Sequence, residues 1–224
     1  MARGRAAGYD DQRDMILRRS AELFARRGYP ATSMNEVAEA CGFSKPTLYH
    51  YFRDKYNLLV HIADGHVSRL QALVVEVEDR QLAPQDRLRE LIHRFVKEYA
   101  QAQHAHRVLT EDVRFLEPED RERILNKERA VVASFANALS QVRPDADAAG
   151  LTKALTMLLF GMINWMFTWL KPDGELDYAA MAPIVSDLFF GGVFAVGATT
   201  LTTLTAPTAP TAPTATTPRV PSSP

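Results

Sequence analysis

Residues 32–55, TSMNEVAEACGFSKPTLYHYFRDK, constrain the fold more tightly than any other stretch, because their capping residues fix two short helices and the turn between them. Ser33 and Glu36 stand three apart, as in a capping box, where each side chain satisfies an otherwise unpaired backbone N–H at a helix start. A helix therefore begins at about Ser33. Met34, Val37, Ala38 and Cys41 follow at i, i+3, i+4 and i+7, an apolar stripe of helical period. Gly42 permits the left-handed backbone that ends a helix, so the turn falls at residues 41–43. Ser44 is a second N-cap, and Pro46 sits in a first turn, where a missing N–H costs nothing.

On the second helix Leu48 and Phe52 share the inward face, which predicts that Lys45, Thr47, Tyr49, His50 and Tyr51 project largely outward. A solvated helix face is usually Glu and Lys. Here hydroxyls, a ring nitrogen and one cation are crowded into two turns, the mixture that bonds phosphate oxygens and base edges. The alternative is a plain amphipathic helix pair with surface aromatics. It accounts for the caps but not for their coincidence with this polar face.

Gly28-Tyr29, Ala31-Thr32-Ser33, Gly42-Phe43-Ser44-Lys45, Thr47-Leu48-Tyr49, Tyr51-Phe52 and Lys55 together resemble the N-terminal helix-turn-helix of TetR-family transcriptional regulators, closely over residues 10–60. Beyond that the resemblance is to the family's layout. It implies an all-α protein of about nine helices: a three-helix DNA-binding domain followed by a helical domain for effector binding and dimerisation. It also implies DNA contacts at Lys45, Thr47, Tyr49, His50, Tyr51 and Lys55, with Ser33 and Ser44 nearby. Lys45, Thr47 and His50 would read bases, and the tyrosines and Lys55 would hold phosphates. The implied partners are a palindromic double-stranded operator, a second copy of the chain and a small-molecule effector. Pro46 replaces the small residue frequent in the family and Tyr51 a frequent histidine, which leaves the bases read open.

The rest of the chain divides accordingly. Residues 1–9, with Arg3 and Arg5, read as a flexible basic arm, residues 10–56 as the reading head, 57–198 as the effector and dimerisation domain, and 199–224 as a Thr/Ala/Pro tail unable to fold. The predicted helices are residues 10–27, from about Lys55 into the region 74–79, Leu88 through Tyr99 after a break at 81–84, about 106–116, Pro118 to about Val142, 151–170 and about 177–196. Arg143-Pro144-Asp145 reads as a break. Met181-Ala182-Pro183 is a second candidate for the start of the last helix. No segment alternates with period two over a strand's length. Residues 151–170 are long enough to span a membrane, but Lys153, three threonines and Asn164 make them polar for lipid. They read better as a helix buried on several sides, in a core, a subunit interface or both.

Composition narrows the class. Of 224 residues 46% are hydrophobic, enough for a real core, and one cysteine excludes an internal disulfide framework and fits a cytoplasmic protein. Residues 1–56 carry 10 Lys+Arg against 7 Asp+Glu and the remainder 16 against 20, so positive charge gathers at the motif end. No metal-ligand spacing, phosphate loop or nucleophile elbow appears, so neither enzyme nor cofactor is expected. Phe95, Tyr99, Phe115, Phe160, Trp165, Met166 and Trp169 are expected to line a slot for an acyl or aryl group, with Asn164 orienting it. Arg114, Arg121, Arg123, Lys127 and Arg129 would then meet a polyanionic head. The general character of this half resembles TetR-family regulators that respond to acyl-CoA thioesters. A drug-like ligand, and control by a protein partner or by abundance alone, stay open beside that reading, as does an ordinary apolar core with a solvated helix face.

Overall fold

Ten α-helices and no strand make up the described residues, 3–170 and 176–197, of the computed structural model. The first three form a small bundle: α1 (Arg3–Arg27), α2 (Met34–Ala40) and α3 (Lys45–Tyr51). The capping box forms, with Ser33 Oγ accepting from the Glu36 N–H and the Glu36 carboxylate accepting from the Ser33 N–H at 2.7 Å. Ser44 caps α3 by accepting from the Thr47 N–H. Gly42 takes φ +69°, and the Phe43 N–H reaches back to the Ala38 carbonyl at 2.9 Å.

Helix α1 is longer than expected. It starts at Arg3, so residues 3–9 of the segment read as an arm lie in the helix. Arg3, Arg5, Ala6 and Ala7 are good helix formers that offset Gly4 and Gly8, and the Tyr9 ring finds a packing partner in Tyr51, with centroids 4.7 Å apart.

Helix α4 (Lys55–Glu78), capped by Asp54, belongs to two cores at once. Leu58, Leu59 and Ile62 pack with Ile16, Phe24, Val37, Leu48 and Phe52 of the bundle. Leu70, Leu73, Val74 and Val77 pack in the larger core instead. That core is closed by α5 (Pro84–Gln101), α7 (Pro118–Val142), α9 (Thr152–Trp169) and α10 (Tyr178–Val193), with Phe95, Phe135 and Phe160 stacked edge-on or tilted at its centre. Helix α6 (Gln103–Asp112) and the 3-10 turn Val113–Phe115 lie over the junction. Val108 and Leu109 of α6 contribute to the bundle's core.

Two boundaries differ from expectation for local reasons, and the first is Pro84, which opens α5 at the end of the expected break 81–84. Residues 143–145 were read as a break, yet Pro144 opens the short helix α8 (Pro144–Ala148), where a proline is pre-set for a first turn. The last helix starts at its Asp177 cap as expected, not at the second candidate 181–183, so Pro183 is carried inside it. The expected tail at 199–224 lies outside the described residues. No helix of the described residues is long and apolar enough to cross a membrane. Helix α9 buries Leu155, Leu159, Phe160, Ile163 and Met166 and exposes Met157, Leu158, Trp165 and Trp169.

Candidate functional site

Two sites are built on this frame, a polar face on α3 and a cavity in the larger domain. On α3, Lys45, Thr47, Tyr49 and His50 are exposed together, and Lys45 Nζ lies 5.9 Å from the Tyr49 ring centroid. Ser33 and Ser44 flank them, also exposed, with Ser44 Oγ and Thr47 Oγ1 sharing a hydrogen bond of 2.7 Å. The face is rigidly held because Leu48 and Phe52, on the opposite side of the same two turns, are almost wholly buried.

Tyr51 and Lys55 do not join it as expected. The Tyr51 ring is half-buried, stacked against Tyr9 at 4.7 Å and Phe43 at 6.2 Å, and its hydroxyl donates to Gln12 Oε1. The N-terminal turns of α1, absent from the expected helix, are what cover it. Lys55 Nζ donates to the carbonyls of Tyr29 at 2.9 Å and Pro30 at 3.2 Å, and sits 4.5 Å from the Tyr29 ring centroid. Two of its three donors are thus engaged in tying the α1–α2 loop to the start of α4. Both residues are half-buried and engaged in contacts within the fold.

The cavity encloses about 620 Å³ between α4, α5, α6, α7 and α9. Its inner end is formed by Val67, Leu70, Tyr99, His106 and Leu109, all buried, and its outer end by exposed Arg129, Ala133, Lys153 and Met157. Of the expected lining residues, Tyr99, Phe160 and Asn164 are there, and Phe95 stands directly behind Phe160 and Tyr99. The others are elsewhere. Phe115 packs beside Tyr29 in the bundle's core, 5.6 Å between centroids, and Met166 is buried in the larger core. Trp165 and Trp169, 66% and 51% exposed, border a surface groove with Leu158, Gly161, Ile184 and Leu188 of α9 and α10. Helix α9 is apolar nearly all round, with its tryptophans on the outer face and Phe160 and Met166 turned inward.

The expected basic mouth is smaller than the sequence suggested. Arg123 and Lys127 are drawn to Asp64, Lys127 also to Ser68 at 2.8 Å, and Arg114 lies over the Phe115 ring. Only Arg129 of the five lines the cavity, and Lys153 joins it.

The electrostatics of the inner end are those of a desolvated site. His66 Nε2 and His106 Nδ1 are 3.3 Å apart, and the His106 ring stacks on Tyr99 at 3.9 Å. Burial lowers His66 to about 4. Burial, reinforced by His66, lowers His106 to about 3, so both rings are neutral near pH 7. Burial also raises the Glu128 carboxyl above the usual range, against the opposing pull of Arg129.

The helix-turn-helix segment matches the family model for the bacterial regulatory proteins of the TetR family over residues 16–62, and residues 81–193 match that for the tetracyclin repressor-like C-terminal domain. This chain belongs to the TetR family. As in its relatives, the work of the fold is DNA-binding transcriptional regulation. A TetR-family regulator from Bordetella parapertussis is 36% identical in sequence, with TM-score 0.76 over 82% of this chain and 96% of that one. The transcriptional repressor KstR2 of Mycobacterium tuberculosis is 25% identical over 86% of this chain and 98% of its own. The structure of AibR in complex with isovaleryl coenzyme A and operator DNA is similar too, at 27% identity and TM-score 0.67 over 79% and 97% of the two chains.

His106, Thr110, Glu128 and Lys153 also line the cavity of this TetR-family chain, with His66 behind His106, and none of them stands out in the sequence as a lining residue. His106 lies two residues from exposed His104 and four from Thr110, and helical spacing alone does not say which histidine turns inward.

Proposed function

We propose that this TetR-family regulator is a homodimeric repressor that leaves a palindromic operator when a hydrophobic effector, an acyl-CoA or aryl-CoA thioester, fills the cavity. The observation that carries the reading is that Val67 and Leu109 line the cavity and also belong to the core of the DNA-binding bundle. A ligand that pushes on either one pushes on the elements that position α3. Lys45, Thr47, Tyr49 and His50 meet the major groove, with Ser33 and Ser44 beside the backbone and Tyr51 and Lys55 fixing the head's shape. The exposed apolar face of α9 and α10 pairs with its copy across a two-fold axis, which sets two reading heads on successive turns of DNA. A Cβ on Gly161 or Gly191 would meet nothing within 4 Å in the single chain, so both leave room for close approach of the partner.

Arg129 and Lys153 at the outer end and the apolar inner walls match a ligand with an anionic head and an apolar body, as in the isovaleryl coenzyme A bound to AibR. A second reading, a cationic drug-like ligand, is favoured by Glu128, a cavity carboxyl with no hydrogen bond or ion pair among the described residues. The test is a gel-shift release assay on the DNA beside the protein's own gene, with acyl-CoA esters, their free acids and cationic drugs. Release by a thioester and not by its acid supports the first reading. Release by cations alone supports the second, and release by nothing rejects both.

A further inference from the structure

The inner end of the cavity holds a polar feature that a purely apolar effector body would leave unsatisfied. His106 is 3% exposed, and its Nε2 has no hydrogen-bond partner; Asn164 Oδ1, on the facing helix, has none either. Both residues line the cavity, and Tyr99, stacked on His106, lies beside them. A buried polar atom without a partner is costly, and a native fold tolerates it where something else completes it. The His106 side chain is also held in place by its neighbours. The His106 ring is gripped by Tyr99 on one face and by Phe167 at its edge, 5.6 Å between centroids, and its other nitrogen faces His66.

We infer that His106 and Asn164 form an oxygen-recognition subsite, which hydrogen-bonds an uncharged hydroxyl or keto oxygen on the far end of the effector's apolar body. This rests on the effector reading of the cavity given above. The charge state of the ligand group follows from its surroundings. No cation stands at the inner end to neutralise a carboxylate, and Glu128 in the same cavity would repel one. The choice between donor and acceptor is left to the histidine pair. If His66 Nε2–H donates to His106 Nδ1, His106 Nε2 carries a hydrogen and can donate to a keto oxygen. If His106 Nδ1–H donates to His66 instead, Nε2 offers a lone pair to a hydroxyl. One proton shifted within the pair lets the same site take either oxygen, and the Asn164 amide supplies the complementary partner.

The subsite also explains why a histidine rather than a leucine faces this cavity from α6. An oxygen bound to His106 acts on α6 and, through His66, on α4, the two helices that pack against the reading head. The Asn164 backbone also acts on the His106 ring, in the sense that favours its protonated form, but it does not give Nε2 a hydrogen bond of normal geometry.

The test is calorimetric titration of the full chain with two matched series. The first is the coenzyme A thioesters of 3-phenylpropionate carrying hydrogen, hydroxyl or aminomethyl at the para position; the second is propylbenzene, 4-propylphenol and 4-propylbenzylamine, which lack the head. The hydroxyl member of a binding series should be preferred over the hydrogen member by roughly tenfold, the size of one buried hydrogen bond. His106→Phe, which keeps the stack on Tyr99, and Asn164→Leu should each reduce that preference while still binding the hydrogen member, and His106→Gln should restore part of it. Equal binding of hydrogen and hydroxyl members, tightest binding of the amine, or a preference that survives in both His106→Phe and Asn164→Leu would overturn the subsite alone. Binding of the headless series only removes the thioester reading and leaves the subsite to be judged on that series. Failure of both series to bind rejects the effector cavity and the subsite together.

Discussion

His66 and His106 meet nitrogen to nitrogen across the α4–α6 contact, Nε2 to Nδ1 at 3.3 Å, inside the wall that separates the cavity from the DNA-binding bundle. Both rings titrate below the ordinary imidazole value, at about 4 and about 3, chiefly because burial disfavours the charged form.

That depression makes the fold acid-sensitive in a defined window. The unfolded chain binds protons at these histidines near pH 6.5 while the folded chain does not, so their contribution is full above pH 6.5 and is lost as pH falls toward 4. By pH 5 the loss should reach a few kcal/mol for the pair. Asp112 and Glu128, whose carboxyls burial raises above their ordinary values, act in the opposite sense. Thermal unfolding midpoints measured from pH 7 to pH 5 should fall steeply for the parent and less for the His66→Phe, His106→Phe double variant. Parallel curves would show that the pair does not set this dependence.

The division of labour on α3 is equally testable. Lys45→Ala with Tyr49→Ala removes exposed groups and should weaken operator binding by about 1–3 kcal/mol per contact at equal salt, with the unfolding midpoint nearly unchanged. Tyr51→Ala should instead destabilise by about 1–2 kcal/mol, less than the 3–5 of a fully buried aromatic, because its ring is half-covered by Tyr9 and Phe43. A Tyr51→Ala protein as stable as the parent would return that residue to the DNA-facing set.

Lys55→Met keeps the aliphatic stem and deletes the donors to the Tyr29 and Pro30 carbonyls. It should cost roughly 1.5–3 kcal/mol, the range for hydrogen bonds from a charged group. Chemical denaturation reads this directly. A loss of DNA affinity with unchanged stability would instead favour a phosphate contact.

The face bearing Trp165 and Leu188 should be the subunit contact. Sedimentation of the parent at micromolar concentration should give the dimer mass, and Trp165→Glu with Leu188→Glu should give a folded monomer, since two charges would be buried without partners. A parent that sediments as a monomer would remove the palindromic-site geometry as well.

What the sequence disclosed follows from how far each determinant reaches along the chain. Ser33 with Glu36 and Ser44 with Thr47 act over three residues, so the caps, the turn and the polar face were legible. Tyr51 meets Gln12 across 39 residues and Lys55 meets Tyr29 across 26, and nothing local signals either contact. Helix α9 is the harder case. Spacing separates Trp165 and Trp169 from Phe160 and Met166, but with apolar residues on both faces it does not say which set is inside. The expected lining, on α5, the Val113–Phe115 turn and α9, shares only Tyr99, Phe160 and Asn164 with the cavity, because its polar members His106, Glu128 and Lys153 look like surface residues until α4, α6, α7 and α9 close around them.

The central claim is that filling the cavity releases DNA, and Val132, half-buried in the cavity wall and away from its inner end, allows a direct test. Val132→Trp should occupy the space an effector body needs without touching α3. Anisotropy of labelled operator DNA, titrated with the thioester most active in the release assay, should show equal DNA affinity for both proteins without ligand, release from the parent and no release from the variant. If the variant were released at the same thioester concentration as the parent, or if the parent held its operator with thioester shown by calorimetry to be bound, coupling through this cavity would be contradicted.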